Sequence, residues 1–192
     1  MQLLIDRIRA EGRNLGGGIL NVNSLINHQV DPTLMMAIGK ALATRFGDLG
    51  VNRVITAETS GIAPALMTAL ALGVSVVFAR KSKPVTLPEN VYTSTAVSRT
   101  KGGEITLMIS PDFLRDGDNV LIVDDFLASG SQTLAMVQLV QKAQANVIGV
   151  GAVIEKEFEG GRAVLEAMDI RVESLARLVR MTDDALFFAG EA

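Results

Sequence analysis

The chain has 192 residues, 18 basic against 21 acidic side chains for a formal net charge of −3, no cysteine and one histidine. That length suits one domain with a sizeable core, and the composition excludes disulfides, thiolate nucleophiles, cysteine-based zinc sites and a multi-histidine metal centre. Mild acidity argues against a broad basic surface for coating nucleic acid while allowing a local anion site, and 48% apolar residues with no tryptophan and one tyrosine imply an aliphatic core rather than a base-stacking aromatic platform.

Residues 1–12 carry Asp6, Arg7, Arg9 and Glu11, which is not the pattern of a signal peptide. A cytoplasmic location is therefore the default expectation. Residues 33–49 read as a helix, with Leu34, Ile38, Leu42, Phe46 and Leu49 at helical spacing and Asp31-Pro32 where an N-cap and first-turn proline belong. Residues 53–57 form a short strand, 62–72 a helix and 74–79 a strand. The run 61–79 contains no charge and has the length of a membrane span, but Pro64 and Gly73-Val74-Ser75 divide it into helix, turn and strand.

Residues 85–111 break this alternation. Two strands, 91–98 and 104–110, join near Lys101-Gly102-Gly103, with Arg99 and Lys101 close to the tip. This is either a surface hairpin or a lid over the strand ends. Beyond it, 120–124 is an apolar strand closed by acids. A helix follows over 131–145, with Leu134, Val137 and Val140 on one face, and then an apolar strand over 147–154. Continuous apolar strands alternating with helices predict an α/β fold, a mainly parallel sheet covered on both faces. Its ligands belong where the strands' carboxyl ends enter loops.

The segment Val120-Leu-Ile-Val-Asp-Asp-Phe-Leu-Ala-Ser-Gly-Ser-Gln-Thr133 concentrates the chemistry. A strand delivers Asp124 and Asp125 to a turn of small residues that opens a helix. Unpaired N–H groups and the helix dipole favour an anion there. Gly130 permits the turn, and Ser129, Ser131 and Thr133 add hydroxyls. Ser129 or Ser131 could also simply cap the helix. The paired acids suit hydroxyl groups, as on a ribose, or a nearby Mg²⁺.

This segment resembles the phosphoribosyl-diphosphate signature of the type I phosphoribosyltransferases. Leu25-Ile-Asn-His-Gln-Val-Asp-Pro32, Glu58-Thr-Ser-Gly-Ile-Ala-Pro64, Val77-Phe-Ala-Arg-Lys81, Val153-Ile-Glu-Lys156 and Arg171-Val-Glu-Ser-Leu-Ala-Arg177 extend the resemblance along the chain, toward the xanthine-specific bacterial branch. The loop departs from the common Thr-Thr-Gly-Gly-Thr form, reading Ala128-Ser-Gly-Ser-Gln132.

The resemblance implies transfer of a phosphoribosyl group from 5-phospho-α-D-ribose 1-diphosphate to xanthine, with Mg²⁺, giving xanthosine 5′-monophosphate and diphosphate. It implies a homodimer and a fold with a small hood, built from the first ~30 residues with the C-terminal segment, and a lid over about 85–110. Ala128, Ser129, Gly130, Ser131, Gln132 and Thr133 would hold the 5-phosphate, and Asp124 and Asp125 the ribose hydroxyls. Thr59 and Ser60 belong to a loop that wraps the diphosphate, often through a non-proline cis peptide bond. Arg80, Lys81 and Lys83 would neutralise the departing diphosphate. For the base, the resemblance implies Lys156 at the 6-oxo group, with Leu20 and Asn27. Phe126 follows the acids and either stacks on the base or packs in the core. His28 reads as a structural histidine rather than a general base. Two alternatives remain at this stage. One is another purine base, although Lys156 opposes adenine's donor 6-amino group. The other is a purine-sensing repressor using the same domain, though no basic recognition helix is evident in residues 1–50.

Overall fold

The computed structural model describes residues 1–97, 103–182 and 185–190. The expected tip residues Arg99, Lys101 and Gly102 lie outside these. The chain opens with α1 (Gln2–Glu11), a ribbon of β1 (Arg13–Asn14) and β2 (Leu20–Asn21), and a single π-helical turn (Asn23–Asn27). Then come α2 (Pro32–Phe46), β3 (Arg53–Ala57), α3 (Ile62–Leu72), β4 (Ser75–Ala79), β5 (Tyr92–Val97) and β6 (Glu104–Ile109). The second half holds β7 (Asn119–Leu127), α4 (Ser131–Lys142), β8 (Asn146–Lys156), α5 (Gly161–Glu166), β9 (Val172–Met181) and β10 (Leu186–Phe188).

One six-stranded sheet organises the molecule, in the order β10-β9-β8-β7-β3-β4. All neighbours are parallel except β10, which returns antiparallel to β9. Burial alternates along the strands but toward two cores. Val54, Leu121 and Val123 join the helices α1, α2 and α3 on one face. Ile55, Val120 and Ile122 join α4, α5 and the hairpin on the other. A sheet apolar on both faces produces the unbroken runs seen in the sequence. Among the described residues no helix is long and apolar enough to cross a membrane.

The strand order also positions the site. From β3 the chain passes through α3 outward to β4, then returns to the other side of β3 as β7 and continues through α4 to β8. The order therefore reverses between β3 and β7, and a crevice opens at such a reversal beyond the strands' carboxyl ends. Residues 58–61 follow β3, and the small-residue loop follows β7.

Several boundaries differ from expectation. The expected strand 120–124 runs on to Leu127, because Phe126 and Leu127 keep pairing with Ile154 and Glu155 of β8. The expected strand 147–154 extends to Lys156, which pairs with Leu178 of β9. The helices end at Phe46 and Lys142, three residues earlier than their apolar repeat suggests. Asp31 caps α2 as expected, accepting from the Thr33 and Leu34 N–H groups at 3.0 Å each. It also pairs with Arg7 of α1 at 2.8 Å. The N-terminal segment is fastened to the end of the chain. The Met1 ammonium donates to the Leu175 carbonyl, and the Asn14 side chain donates to the Thr182 carbonyl at 2.7 Å.

Candidate active site

The extension of β7 separates its two acids. With a period of two, neighbours face opposite sides of the sheet. Asp124 turns inward and is 1% exposed. Asp125 turns to the crevice. Gln132 on the first turn of α4 donates to Asp124 Oδ2 at 2.9 Å, and the Asp125 N–H donates to Asp124 Oδ1 at 3.1 Å. Burial pushes the Asp124 carboxyl well above the ordinary carboxylate range, and the neighbouring charge of Asp125 pushes it further. Gly61 makes room for this arrangement. A Cβ there would come within 2.2 Å of Thr56 Oγ1 and 2.9 Å of Asp124 Oδ1.

Asp125 meets the N-terminal segment. Asn27, at the end of the π-helical turn, donates from Nδ2 to Asp125 Oδ2 at 2.8 Å, bridging 98 residues of sequence. His28 follows on the exposed side. Leu20 is buried in β2 at 6% exposure and belongs to the core that α1 and α2 cover.

The loop after β7 lines a cavity of about 190 Å³. Its walls are Ala128, Ser129, Gly130, Ser131, Gln132 and Thr133, together with Lys81, Phe126 and the hairpin residues Ala96, Val97 and Ile105. Gly130 adopts φ +82°, a left-handed conformation that glycine takes without steric penalty. Ser131 Oγ accepts from the Val97 N–H at 2.8 Å, so the far end of β5, where it pairs with Glu104, is fastened to the loop.

On the β3 side the Glu58–Thr59 peptide bond is cis, the form the resemblance suggested. Thr59 is exposed and Ser60 half-buried at the start of α3. Glu58 gathers the cationic strand end beside it. Its carboxylate lies 2.9 Å from Arg80 Nε and accepts from the Lys81 N–H at 2.6 Å. Lys83 faces elsewhere, donating to the Glu89 carbonyl at 3.2 Å.

At the end of β8, Lys156 Nζ sits 5.4 Å over the Phe126 ring, donates to the Gly18 carbonyl at 2.6 Å and lies 3.6 Å from Glu159. An ammonium over an aromatic face is an attractive pairing, and it holds the two side chains together across β7 and β8.

The family model of the phosphoribosyl transferase domain matches residues 29–175 of this sequence. The chain belongs to the phosphoribosyl transferase family. Among curated relatives of this phosphoribosyl transferase, the xanthine phosphoribosyltransferase of Leuconostoc mesenteroides is 48% identical over 98% of the chain and all of the relative. That of Listeria innocua is 47% identical over the whole of both. The adenine phosphoribosyltransferase structure from Rhodothermus marinus shares the fold, with a TM-score of 0.75 at 24% identity over 93% of this chain and 100% of the other. The Saccharomyces cerevisiae adenine phosphoribosyltransferase, solved with an imino-altritol bisphosphate and adenine, gives 0.73 at 27% identity over 91% and 99%.

Sequence reasoning missed three features of this phosphoribosyl transferase. Glu58 is the anchor of Arg80, and Ala57 pairs with Ala79 in register, so residues 58 and 80 emerge side by side. Gln132 is the partner of the buried acid. The third is a brace behind Lys156. Glu155, 1% exposed, takes a bidentate contact from Arg162 at 2.8 and 2.6 Å. Burial acts to raise this carboxyl, but hydrogen bonds from Arg162 and Ser174, with the charges of Arg162 and Arg177, hold it below the ordinary range.

Proposed function

We propose that the protein transfers the 5-phosphoribosyl group from 5-phospho-α-D-ribose 1-diphosphate to xanthine in purine salvage, releasing diphosphate. The observation that carries this reading is the cavity in which Phe126, paired with the Lys156 ammonium, adjoins the loop Ala128 to Thr133. It offers a ring face and a donor for an oxopurine beside N–H and hydroxyl donors for a phosphate. Near-full-length likeness to xanthine phosphoribosyltransferases supports the choice of base.

In this reading Asp125 and Asp124 take the ribose hydroxyls, Asp125 leaving Asn27 and Asp124 giving up Gln132 as the sugar arrives. Asn27 then reads the 2-oxo and ring N–H edge, since an amide both donates and accepts. Leu20 shapes the floor beneath the base. Thr59, Ser60 and the Lys81 region take the diphosphate, and Arg80, held by Glu58, adds positive charge where the leaving group gathers its own. Bond cleavage leaves oxocarbenium character at the ribose C1, which a purine nitrogen captures as its N–H proton passes to the departing diphosphate or to water. The hairpin acts as a lid that keeps water from that carbon, and the N-terminal segment as the hood over the base.

Among the described residues no cluster of three or more metal-binding side chains occurs. In this reading Mg²⁺ would be carried largely by substrate oxygens and water, with Asp125, whose carboxylate meets Asn27 at 2.8 Å, as the protein's available carboxylate. The ion would offset diphosphate charge.

The same reading takes the protein as a cytoplasmic homodimer. The charge-free α3 and the edge strand β4 expose Leu66, Leu70 and Phe78 at 47%, 71% and 38%, and a second copy would cover them. Sedimentation of Leu70→Glu as a monomer supports this; wild type sedimenting as a monomer opposes it.

The deciding assay offers xanthine, guanine, hypoxanthine and adenine with the diphosphate substrate and Mg²⁺. Xanthine is expected to turn over fastest, with nucleotide and diphosphate formed in equal amounts. Preference for adenine, or no transfer to any base, would overturn the reading.

A further inference from the structure

The loop expected to hold the 5-phosphate has a back wall. Gly161, the first residue of α5, donates its N–H to the Ala128 carbonyl at 2.9 Å. Contact here is backbone on backbone. A Cβ on Gly161 would lie 2.3 Å from the Ala128 oxygen and 2.7 Å from the Gly130 nitrogen, and a Cβ on Gly130 would lie 3.1 Å from the Gly161 Cα. Gly161 therefore excludes a side chain, and at Gly130 the left-handed φ of +82° disfavours one. The next residue, Arg162, is clamped on the buried Glu155 at 2.8 and 2.6 Å and also donates to the Val172 carbonyl at 3.0 Å. The wall is thus anchored in β8 and β9, not in the loop it supports.

This contact bears on phosphate binding through peptide geometry. In a trans peptide unit the carbonyl and the following N–H point in opposite directions. Capturing the Ala128 oxygen on the α5 side therefore turns the Ser129 N–H away from α5. Ala128 and Ser129 both line the cavity. If this peptide were to flip, a carbonyl oxygen would face the phosphate in place of a donor. Repulsion would then replace attraction at the same atom position.

We propose that Gly161 is a positioning residue that holds the Ala128–Ser129 peptide in the anion-binding orientation, and that Arg162, through Glu155, holds Gly161. Strand β8 then links the two halves of the substrate, because Glu155 precedes the base-facing Lys156. The assignment rests on the reading of the loop as the 5-phosphate site.

The test is calorimetric binding of two probes, ribose 5-phosphate and inorganic diphosphate, with Mg²⁺ present, to wild type, Gly161→Ala and Arg162→Lys. Gly161→Ala should weaken ribose 5-phosphate by about tenfold or more, the scale of losing an oriented backbone donor. Diphosphate affinity should stay within about twofold, since residues 58–61 follow β3 whereas the wall follows β8. Arg162→Lys keeps the charge but loses the bidentate fork, and should show the same selective loss at smaller size. It carries the comparison alone if the alanine variant does not fold. Unchanged ribose 5-phosphate binding, or equal losses for both probes, would overturn the assignment. Wild type that binds neither probe would overturn the proposed function itself, and the assignment with it.

Discussion

Asp124 and Glu155 sit on neighbouring strands, β7 and β8, and each is 1% exposed. Their surroundings differ. Glu155 faces the guanidinium of Arg162 with two short contacts and a second arginine, Arg177, at 4.0 Å. Asp124 receives only neutral donors, the Gln132 side-chain amide and the Asp125 backbone N–H, and lies next to another acid. Glu155 is accordingly held low and Asp124 pushed high. A buried carboxylate without a cation is costly, and folding alone offers no return for placing one at Asp124. In the proposed function this difference separates a brace from a binding group: Glu155 would secure the wall behind the loop, and Asp124 would meet a hydroxyl-rich, cation-accompanied ligand.

The comparison can be broken in four ways. The largest effect is expected from Asp124→Asn with Asp125→Asn, which should lower phosphoribosyl transfer about 10³-fold while the protein still folds. Steady-state kinetics beside thermal unfolding checks both halves. Next is Arg162→Met, which strands Glu155 without its main partner and should cost about 3–5 kcal/mol of stability by denaturant titration. Lys156→Ala should raise the KM for xanthine about tenfold or more, leaving the KM for the diphosphate substrate within about twofold. Equal losses for both substrates would sever Lys156 from the base.

The smallest effect is the pH dependence of stability, and its sign differs between the two acids. A carboxyl raised in the folded state keeps its proton longer than in the unfolded chain. Its contribution is present at low pH and is lost as pH rises through the raised value. Wild type should therefore lose stability relative to Asp124→Asn as pH rises above the ordinary carboxylate range. Glu155 is depressed, so its contribution is present above that range and lost as pH falls. Wild type should lose its advantage over Glu155→Gln in acid. Unfolding curves over a pH series read both slopes.

Much of this was legible in the sequence for physical reasons. Strand 53–57 and helix 62–72 have the bounds that periodicity gave them, and the charge-free run 61–79 is divided at Gly73, whose φ of +71° ends α3. The loop after β7 stood out because small residues, a glycine and hydroxyls follow an apolar strand. Other parts depend on pairing between distant segments. α1 buries only Leu4, Ile5 and Ile8, too few to announce a helix among so many charges. β9 is defined by its ladder with β8 rather than by its own pattern. The different fates of Asp124 and Asp125 required knowing that β7 continues to Leu127. Glu58 with Arg80, and Gly161 with Ala128, meet only because the sheet brings them together.

The proposed function makes Asp124 an acid buried for the reaction and at the expense of stability. One variant, Asp124→Asn, measured for transfer rate and unfolding free energy at neutral pH, tests it most directly. The amide cannot ionise; it keeps one acceptor, for Gln132, while its NH2 replaces the oxygen that accepts the Asp125 N–H. Transfer should fall about 10²-fold or more, with stability within about 1 kcal/mol of wild type or above it. Near-normal transfer accompanied by a loss of several kcal/mol would make Asp124 a structural acid instead.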